Sequence, residues 1–203
     1  MNRVRFLKDG PEKPEILFLF AHGAGAPMNS TFMSDVASRI AEAGIGVWRF
    51  EFPYMAERRK GRKRGPDRPD VLLESWRSAV DQAEGPTPYI GGKSLGGRIA
   101  SMIAAEAAVR GIICFGYPFH PPGRPERLRT AHLKTLSVPG LILQGERDPF
   151  GRPDEVSGYE LSPAIRVEWI PDGDHSFKPR KRSGHTLDDN LDLAATLAID
   201  FMK

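Results

Sequence analysis

Residues 89–105 read YIGGKSLGGRIASMIAA, and this stretch decides the fold because it joins a strand to a helix through one serine. The apolar start is typical of a strand, and the residues after Leu95 follow the spacing of a helix. Four glycines, at positions 91, 92, 96 and 97, surround Ser94. A chain uses glycine where φ is positive or where another segment comes close. The stretch therefore predicts a tight turn with close packing on either side of Ser94.

Similar apolar runs, bounded by Gly, Pro or Asp, recur along the chain and alternate with amphipathic stretches. This alternation predicts an α/β fold with a mostly parallel central sheet and helices on both faces, in one domain spanning residues 1–203. In such sheets, ligands bind beyond the carboxyl ends of the strands. The predicted strands are 15–21, 45–52, 87–92, 111–116, 138–146 and 165–170, and the predicted helices are 30–43, 70–84, 95–109, 153–161 and 187–202.

The turn itself carries a chemical motif, because Gly92 to Gly96 form G-x-S-x-G between a strand and a helix. In that context the serine projects above the sheet edge, where it can act as a nucleophile. A phosphate-binding loop is the alternative, since GGKS contains Gly-Lys-Ser. That pattern needs a glycine five positions before Gly92, where Thr87 stands, so we favour the nucleophilic serine.

A nucleophilic serine needs a base and a third group that orients the base. Asp148 follows the strand in LILQGERDPFG, and His175 follows the next strand in IRVEWIPDGDHSF. The order Ser, Asp, His is that of hydrolases with a G-x-S-x-G turn. We therefore predict Ser94, Asp148 and His175 as a catalytic triad. Taken singly, Asp148 before Pro149 also fits a turn residue, and a lone histidine often belongs to the surface.

Backbone N–H groups are the expected donors to a developing oxyanion. We assign one to Leu95, next to the nucleophile, and the other to the loop AHGAGAP (21–27) after the first buried strand. Ala24 is the first choice in that loop, and Gly25, the second, also becomes a candidate substrate contact. The alternative is a glycine-rich turn that only leaves the strand.

The connection from Tyr117 to Ser137 is too short for a large cap domain, and its prolines restrict the backbone. An open pocket is therefore expected. Four residues in this connection are candidate substrate contacts that would select an anionic acyl group, namely His120, Arg124, Arg127 and Arg129. We favour the alternative, a rigid surface loop whose charges are solvated.

The net charge of +3 is concentrated in ERRKGRKRGPDR (57–68), which holds seven Lys or Arg against two acids. Nucleic-acid binding needs more than clustered charge, and no aromatic residues or known binding motif accompany this segment. We interpret it first as a solvated loop, and next as a steering surface for anionic substrates or a contact for a protein partner.

No metal or other cofactor is expected, because the histidines are scattered and no paired cysteines exist. Cys114 in GIICFGY is interpreted as a buried apolar residue rather than a nucleophile. The chain contains no apolar run of membrane-spanning length, and its first residues lack the apolar centre of a signal peptide. A cytoplasmic location without membrane contact is therefore expected.

Several longer motifs resemble the small α/β-hydrolase family related to dienelactone hydrolases, which also contains a testis-expressed vertebrate protein and a subunit of the NSL chromatin complex. The resemblance covers the chain from about residue 15 onward. It implies an α/β-hydrolase fold with Ser94, Asp148 and His175 as the triad. It implies no substrate, and a serine replaces the cysteine nucleophile of dienelactone hydrolase itself. The motifs are HGAGAPMNSTFM, RFEFPYM, GGKSLGGRIASM, GYPFHPPGRPE, LILQGERDPFG and DGDHSFKPRKRSG.

The sequence thus predicts a serine hydrolase that cleaves a carboxylic ester or thioester of small to medium size through an acyl-enzyme. The alternative is a non-catalytic interaction protein with the same fold, acting through its basic loop. The enzyme is favoured because every catalytic role has a residue.

Overall fold

The computed structural model describes residues 4–203 and shows a sheet of seven strands in the order β1-β3-β2-β4-β5-β6-β7. Strands β2 to β7 run parallel, and β1 adds to the edge antiparallel to β3. The strands are β1 (Leu7–Asp9), β2 (Leu17–Ala21), β3 (Gly46–Phe50), β4 (Tyr89–Lys93), β5 (Gly111–Phe115), β6 (Gly140–Gly145) and β7 (Ile165–Ile170).

Helices cover both faces of this sheet, because the parallel strands are joined by crossover connections. Helices α1 and α6 pack together, and α3 packs on α4. The helices are α1 (Thr31–Glu42), α2 (Pro53–Arg59), α3 (Pro69–Gln82), α4 (Leu95–Ile103), α5 (Pro153–Val156) and α6 (Leu187–Met202), with a 3₁₀ helix at Ala131–Thr135.

Strand β2, with the apolar sequence LFLFA, contributes side chains to the hydrophobic cores on both faces of the sheet. Successive side chains of a strand point to opposite faces. Leu17 and Leu19 lie in the core under α3 and α4, whereas Phe18 and Phe20 lie in the core under α1 and α6. All four side chains are fully buried, as expected for a strand that is covered on both sides.

The predicted fold class is confirmed, and so is the absence of a large cap. Three predicted features needed correction. The basic segment begins as helix, because residues 57–59 form the last turn of α2. Helix α4 ends at Ile103 rather than at residue 109. The Ala107 N–H donates to the Ile103 carbonyl in a turn, and the chain then runs into β5 although its alanines favour a helix. Helix α5 ends at Val156, well before residue 161.

Candidate active site

Ser94 lies between β4 and α4 with φ 50° and ψ −109°, a backbone conformation that non-glycine residues rarely adopt. Its N–H donates to the Phe115 carbonyl at 3.0 Å, which holds the turn against β5. A Cβ on Gly92 or Gly96 would come within 2.4 or 2.5 Å of the Ala21 carbonyl oxygen. The glycines are therefore needed because β2 is pressed against the turn that presents Ser94.

The side chains of Ser94, His175 and Asp148 form one continuous hydrogen-bonded chain. His175 Nε2 is 2.9 Å from Ser94 Oγ, and His175 Nδ1 is 2.7 Å from Asp148 Oδ2. An ionised carboxylate can only accept, so Nδ1 carries the proton and Nε2 is left to accept from the serine hydroxyl. The structure thus brings the three predicted residues together from loops that follow β4, β6 and β7.

Asp148 is fully buried, and other donors besides the histidine satisfy it. The Phe150 N–H donates to Oδ1 at 2.9 Å, and Gln144 Nε2 donates to Oδ2 at 3.0 Å. Gln144 is itself fixed, because its Oε1 accepts from the Tyr117 N–H at 2.7 Å. These bonds orient the carboxylate toward His175. Sequence reasoning missed Gln144, although a glutamine inside the apolar run LILQG was a usable signal.

The pKa of His175 is lowered from its ordinary value, chiefly by burial, while its hydrogen bond to Asp148 raises the pKa and the charge of Lys93 lowers it. The Phe150 ring lies over the imidazole, with centroids 4.3 Å apart. Near neutral pH the imidazole is therefore uncharged and able to take a proton. Once protonated, it faces the carboxylate of Asp148.

Lys93, the residue before Ser94, is a buried lysine whose Nζ donates to the His175 carbonyl. Burial lowers the pKa of Lys93 to about 8, while Asp148 and Asp174 act in the opposite direction. A Cβ on Gly116 would come within 2.7 Å of this Nζ, so Gly116 leaves room for it. Lys93 fixes the backbone of the loop that carries His175, a role sequence reasoning missed because the partners are 82 residues apart.

The loop after β2 lies beside Ser94, since a Cβ on Gly23 would be 3.7 Å from the Ser94 Cβ. The Gly23 carbonyl accepts from His22 Nδ1 at 2.7 Å and from the Tyr54 hydroxyl at 3.3 Å. In a trans peptide the N–H points opposite to the carbonyl, so the Ala24 N–H is directed away from Tyr54. Leu95 is the first residue of α4, and its N–H has no carbonyl one turn earlier in the helix.

His22 is held as a buried neutral histidine, because burial lowers its pKa and its Nε2 accepts from the Phe52 N–H at 3.2 Å. The Ala24 carbonyl accepts from Tyr54 at 3.2 Å and from Arg58 at 3.3 Å. These contacts fix the loop from behind. Gly25 is exposed and has open space where its side chain would be.

Two of the four predicted contacts in the connection after β5, His120 and Arg124, have different environments. His120 is 1% exposed, with Nδ1 2.9 Å from the Pro121 carbonyl and Nε2 3.5 Å from a Glu155 carboxylate oxygen. Its imidazole is therefore held inside the protein rather than presented on an open surface. Arg124 is exposed on a turn closed by its own N–H to the Pro121 carbonyl. A role for either in substrate binding stays a prediction.

A cavity of about 1140 Å³ lies between the N-terminal residues, α2 and α3, and none of the three triad residues lines it. Among residues 4–203, no group of three or more His, Cys, Asp or Glu side chains is arranged to hold a metal ion. Cys114 is buried, and burial raises the pKa of its thiol to about 12. In the part of the chain that the structure describes, no helix has the length and apolar character needed to cross a bilayer.

A family model described as an alpha/beta hydrolase domain matches residues 14–203. The chain belongs to this family. The match covers every strand from β2 to β7 and every residue of the hydrogen-bonded chain described above. The links to a testis-expressed protein and to a chromatin-complex subunit stay predictions.

Solved structures share the fold of this alpha/beta hydrolase at low sequence identity. One is an alpha-beta serine hydrolase homologue from Coxiella burnetii, with a TM-score of 0.73 and 17% identity over 98% of this chain and 91% of that one. A serine hydrolase without lid from Xanthomonas campestris has a TM-score of 0.71 and 19% identity, over 100% of this chain and 96% of that one. A dienelactone hydrolase from Anabaena variabilis has a TM-score of 0.71 and 21% identity, over 98% of this chain and 97% of that one.

Proposed function

We propose that this alpha/beta hydrolase cleaves a carboxylic ester or thioester through an acyl-enzyme on Ser94. The observation that carries the proposal is the continuous chain from Ser94 Oγ through the His175 imidazole to the buried Asp148 carboxylate. Nucleophile, base and orienting group stand within hydrogen-bond distance of one another, which is the arrangement that activates a serine hydroxyl.

In the proposed reaction, Ser94 Oγ attacks the acyl carbon while its proton passes to His175 Nε2. The resulting imidazolium is stabilised by Asp148, and the oxyanion is held by the N–H groups of Leu95 and Ala24. The carbon–oxygen or carbon–sulfur bond then breaks, and the leaving group takes the proton from His175. A water molecule, deprotonated by His175, then attacks the acyl carbon. The bond to Ser94 Oγ breaks, the acid leaves, and His175 returns its proton to Oγ, which restores the Ser94 hydroxyl.

The lack of a large cap supports an open site at Ser94, and we propose an acyl group of small to medium size as its substrate. The guanidinium of Arg58, bound to the Ala24 carbonyl, supplies positive charge beside the proposed oxyanion loop. That charge is consistent with an anionic substrate, which a positive field would steer toward the site.

The basic segment gives less support to an interaction protein than its sequence suggests. Of its seven cationic side chains, Arg59, Lys60, Arg62, Arg64 and Arg68 lie within 4.0 Å of a carboxylate. These ion pairs reduce the excess charge available to a partner. We therefore favour the hydrolase over the interaction protein.

The test is the intact mass after treatment with a fluorophosphonate, measured on the wild type, S94A and S101A. Ser101 is a matched control because its Oγ is also hydrogen-bonded to a histidine, at 2.8 Å from His132 Nε2. We expect one phosphonyl adduct on the wild type and S101A, and none on S94A. A panel of esters and thioesters of increasing acyl length then defines the substrate class.

The proposal fails if the folded wild type forms no adduct, or if the adduct persists in S94A. The first result would leave Ser94 unactivated and would favour the interaction protein. The second would place the reactive group on another residue. Circular dichroism of each variant establishes that the comparison is made between folded chains.

A further inference from the structure

A second cluster of charged side chains lies between α4 and the connection that follows β5, outside the proposed triad. Arg98 stands on α4, one turn after Ser94, and its N–H donates to the Ser94 carbonyl at 3.0 Å. Arg129 and His132 come from the connection. We call Arg98, Arg129 and His132 the basic cluster. All three side chains are partly exposed, so that a small solute can reach them.

The two arginines of the basic cluster lack the partners that arginines usually have in this protein. Neither guanidinium forms a hydrogen bond or an ion pair with any residue between 4 and 203, and the Nε of Arg98 is buried without a partner. Eleven other arginines in that range pair with a carboxylate within 4.0 Å, namely residues 39, 49, 59, 62, 64, 68, 77, 127, 147, 166 and 180.

The positive charges of the cluster are close enough to act on one another. The pKa of Arg129 is lowered by burial and by the charge of Arg98, and the pKa of His132 is lowered to about 4 by the same two causes. No carboxylate contributes to either shift. Placing two guanidiniums together in a partly desolvated position is unfavourable unless an anion joins them.

Hydroxyl groups complete the surroundings of the cluster. The Tyr117 hydroxyl donates to the Arg129 carbonyl at 2.8 Å and lies 3.4 Å from His132 Nε2. Ser101 Oγ donates to the Arg98 carbonyl at 2.7 Å and lies 2.8 Å from the same nitrogen. These bonds fix the backbone from which both arginines extend, so the two side chains start from ordered positions around His132.

We propose that Arg98 and Arg129 form a binding site for a single oxyanion group, a phosphate or a carboxylate carried by a ligand. The fork of N–H donors on a guanidinium matches two oxygens of either group, and two arginines together supply the charge. A bound anion would supply the acceptors that both guanidiniums lack. It would also neutralise the charge that now acts on His132. The site goes beyond the proposed hydrolase activity and does not depend on it.

The test measures thermal unfolding at pH 7 with inorganic phosphate or acetate, against chloride at the same ionic strength. Ligands that bind only the folded chain raise its Tm, by about 3–6 °C for a domain of this size at ten times the dissociation constant. We expect this rise for the wild type and little or none for R98M and R129M. Because R98M also loses packing on α4, R129M serves as the independent variant.

Two matched controls separate the basic cluster from other positive surfaces. R127M removes an exposed arginine from the same connection, and K63M removes an exposed lysine from the basic segment. Both should keep the full response of the wild type. The larger rise, with phosphate or with acetate, identifies the group that the site accepts. The His132 imidazole resonances should report a pKa that moves up from about 4 when the anion binds.

Three outcomes would overturn the proposal. The first is a wild type whose Tm rises no more with phosphate or acetate than with chloride. The second is a rise in Tm that is equal in R129M and the wild type. The third is a K63M variant that loses the rise in Tm. The second outcome would indicate general salt stabilisation, and the third would assign the anion to the basic segment. Each is independent of the fluorophosphonate result, so failure of this site and failure of the proposed hydrolase can be told apart.

Discussion

The molecule contains two serine–histidine pairs with nearly the same separation. Ser94 Oγ and His175 Nε2 are 2.9 Å apart, and Ser101 Oγ and His132 Nε2 are 2.8 Å apart. Both serines belong to the segment that begins at the G-x-S-x-G turn. Only the first pair is a candidate for catalysis, so the distance between the two atoms is not what distinguishes them.

The direction of the hydrogen bonds distinguishes them. Asp148 accepts from His175 Nδ1, which leaves Nε2 to accept the proton of Ser94. Ser101 instead donates its proton to the Arg98 carbonyl at 2.7 Å, so its oxygen accepts from His132. In the second pair the histidine is the donor, and it cannot act as a base toward that serine.

The charges around the two imidazoles also favour His175 as the base. Burial lowers the pKa of both histidines, but Asp148 opposes this at His175, whereas Arg98 adds to it at His132. A proton taken up by His175 would be stabilised by the carboxylate, and one taken up by His132 would be repelled. A serine hydroxyl is activated by the third residue and by its charge, not by contact with an imidazole alone.

The largest expected effect comes from removing each histidine in turn. H175Q should lower kcat for ester hydrolysis by about 10⁴- to 10⁶-fold, because the base is lost. H132Q should leave kcat near the wild-type value, because His132 takes no proton from the nucleophile. Steady-state rates on one activated ester measure both. A large loss in a folded H132Q would mean that the second pair contributes to the reaction.

Replacing the acid should cost nearly as much as replacing the base. D148N keeps the size of the side chain but no longer fixes the His175 tautomer, and a loss of about 10⁴-fold in kcat is expected. D154N, an exposed carboxylate on α5, is the matched control and should behave as the wild type. Equal rates in the two variants would remove Asp148 from the proposed triad.

Replacing Lys93 should have a smaller effect, on both the value of kcat/KM and its pH dependence. K93M loses the bond to the His175 carbonyl, and a displaced imidazole is expected to lower kcat/KM by about 10- to 100-fold. The charge of Lys93 lowers the pKa of His175, so its removal raises that pKa. The acidic limb of the kcat/KM profile should therefore move to higher pH.

The exposed lysine of the same loop provides the control for this variant. K178M should keep both the rate and the profile of the wild type. A K93M enzyme with a lower rate but an unmoved acidic limb would show that Lys93 acts through position alone, without its charge.

The smallest expected effect concerns stability rather than activity. The pKa of His132 is about 4 in the folded chain, below the ordinary value of 6.5, so between these values the unfolded chain binds more protons. Stability from this group is therefore lost as the pH falls from 6.5 to 4. H132Q should show a smaller fall in the free energy of unfolding by urea over this range.

The control for this measurement is H185Q, since His185 is exposed in the loop before α6. It should lose stability with falling pH as the wild type does. If H132Q and the wild type lose the same amount, neither burial nor the charge of Arg98 lowers the pKa of His132 in the folded chain.

Sequence reasoning worked best where the information is local. The bounds of β7 and α6 were predicted to the residue, because the alternation of apolar and charged residues in IRVEWI and a long amphipathic stretch define them locally. The turn around Ser94 was also predicted, since its glycines are needed in place. Strand β1, only three residues long and partly polar, gave no such signal and forms only because it adds to the edge of β3.

The parts of the candidate site that were missed depend on distant contacts. Gln144 orients Asp148 only because Tyr117 fixes it from another strand end, and Lys93 meets the His175 loop only when the sheet is assembled. The burial of His120 also depends on distant contacts. Its proline-rich connection suggested a surface loop, whereas the side chain is buried, its backbone N–H donates to the Phe150 carbonyl and its Nε2 lies 3.5 Å from a Glu155 oxygen.

The placement of His175 has a consequence for how this protein would lose and regain activity. It follows β7, the last strand at one edge of the sheet, which pairs only with β6 and is mostly half-buried. Edge elements with one neighbour open at lower free energy than the interior of a sheet. Mild heat or urea should therefore abolish the proposed hydrolysis while most of the helices and strands are still folded. During refolding, turnover would return only after β7 has paired with β6 and His175 has returned to Ser94.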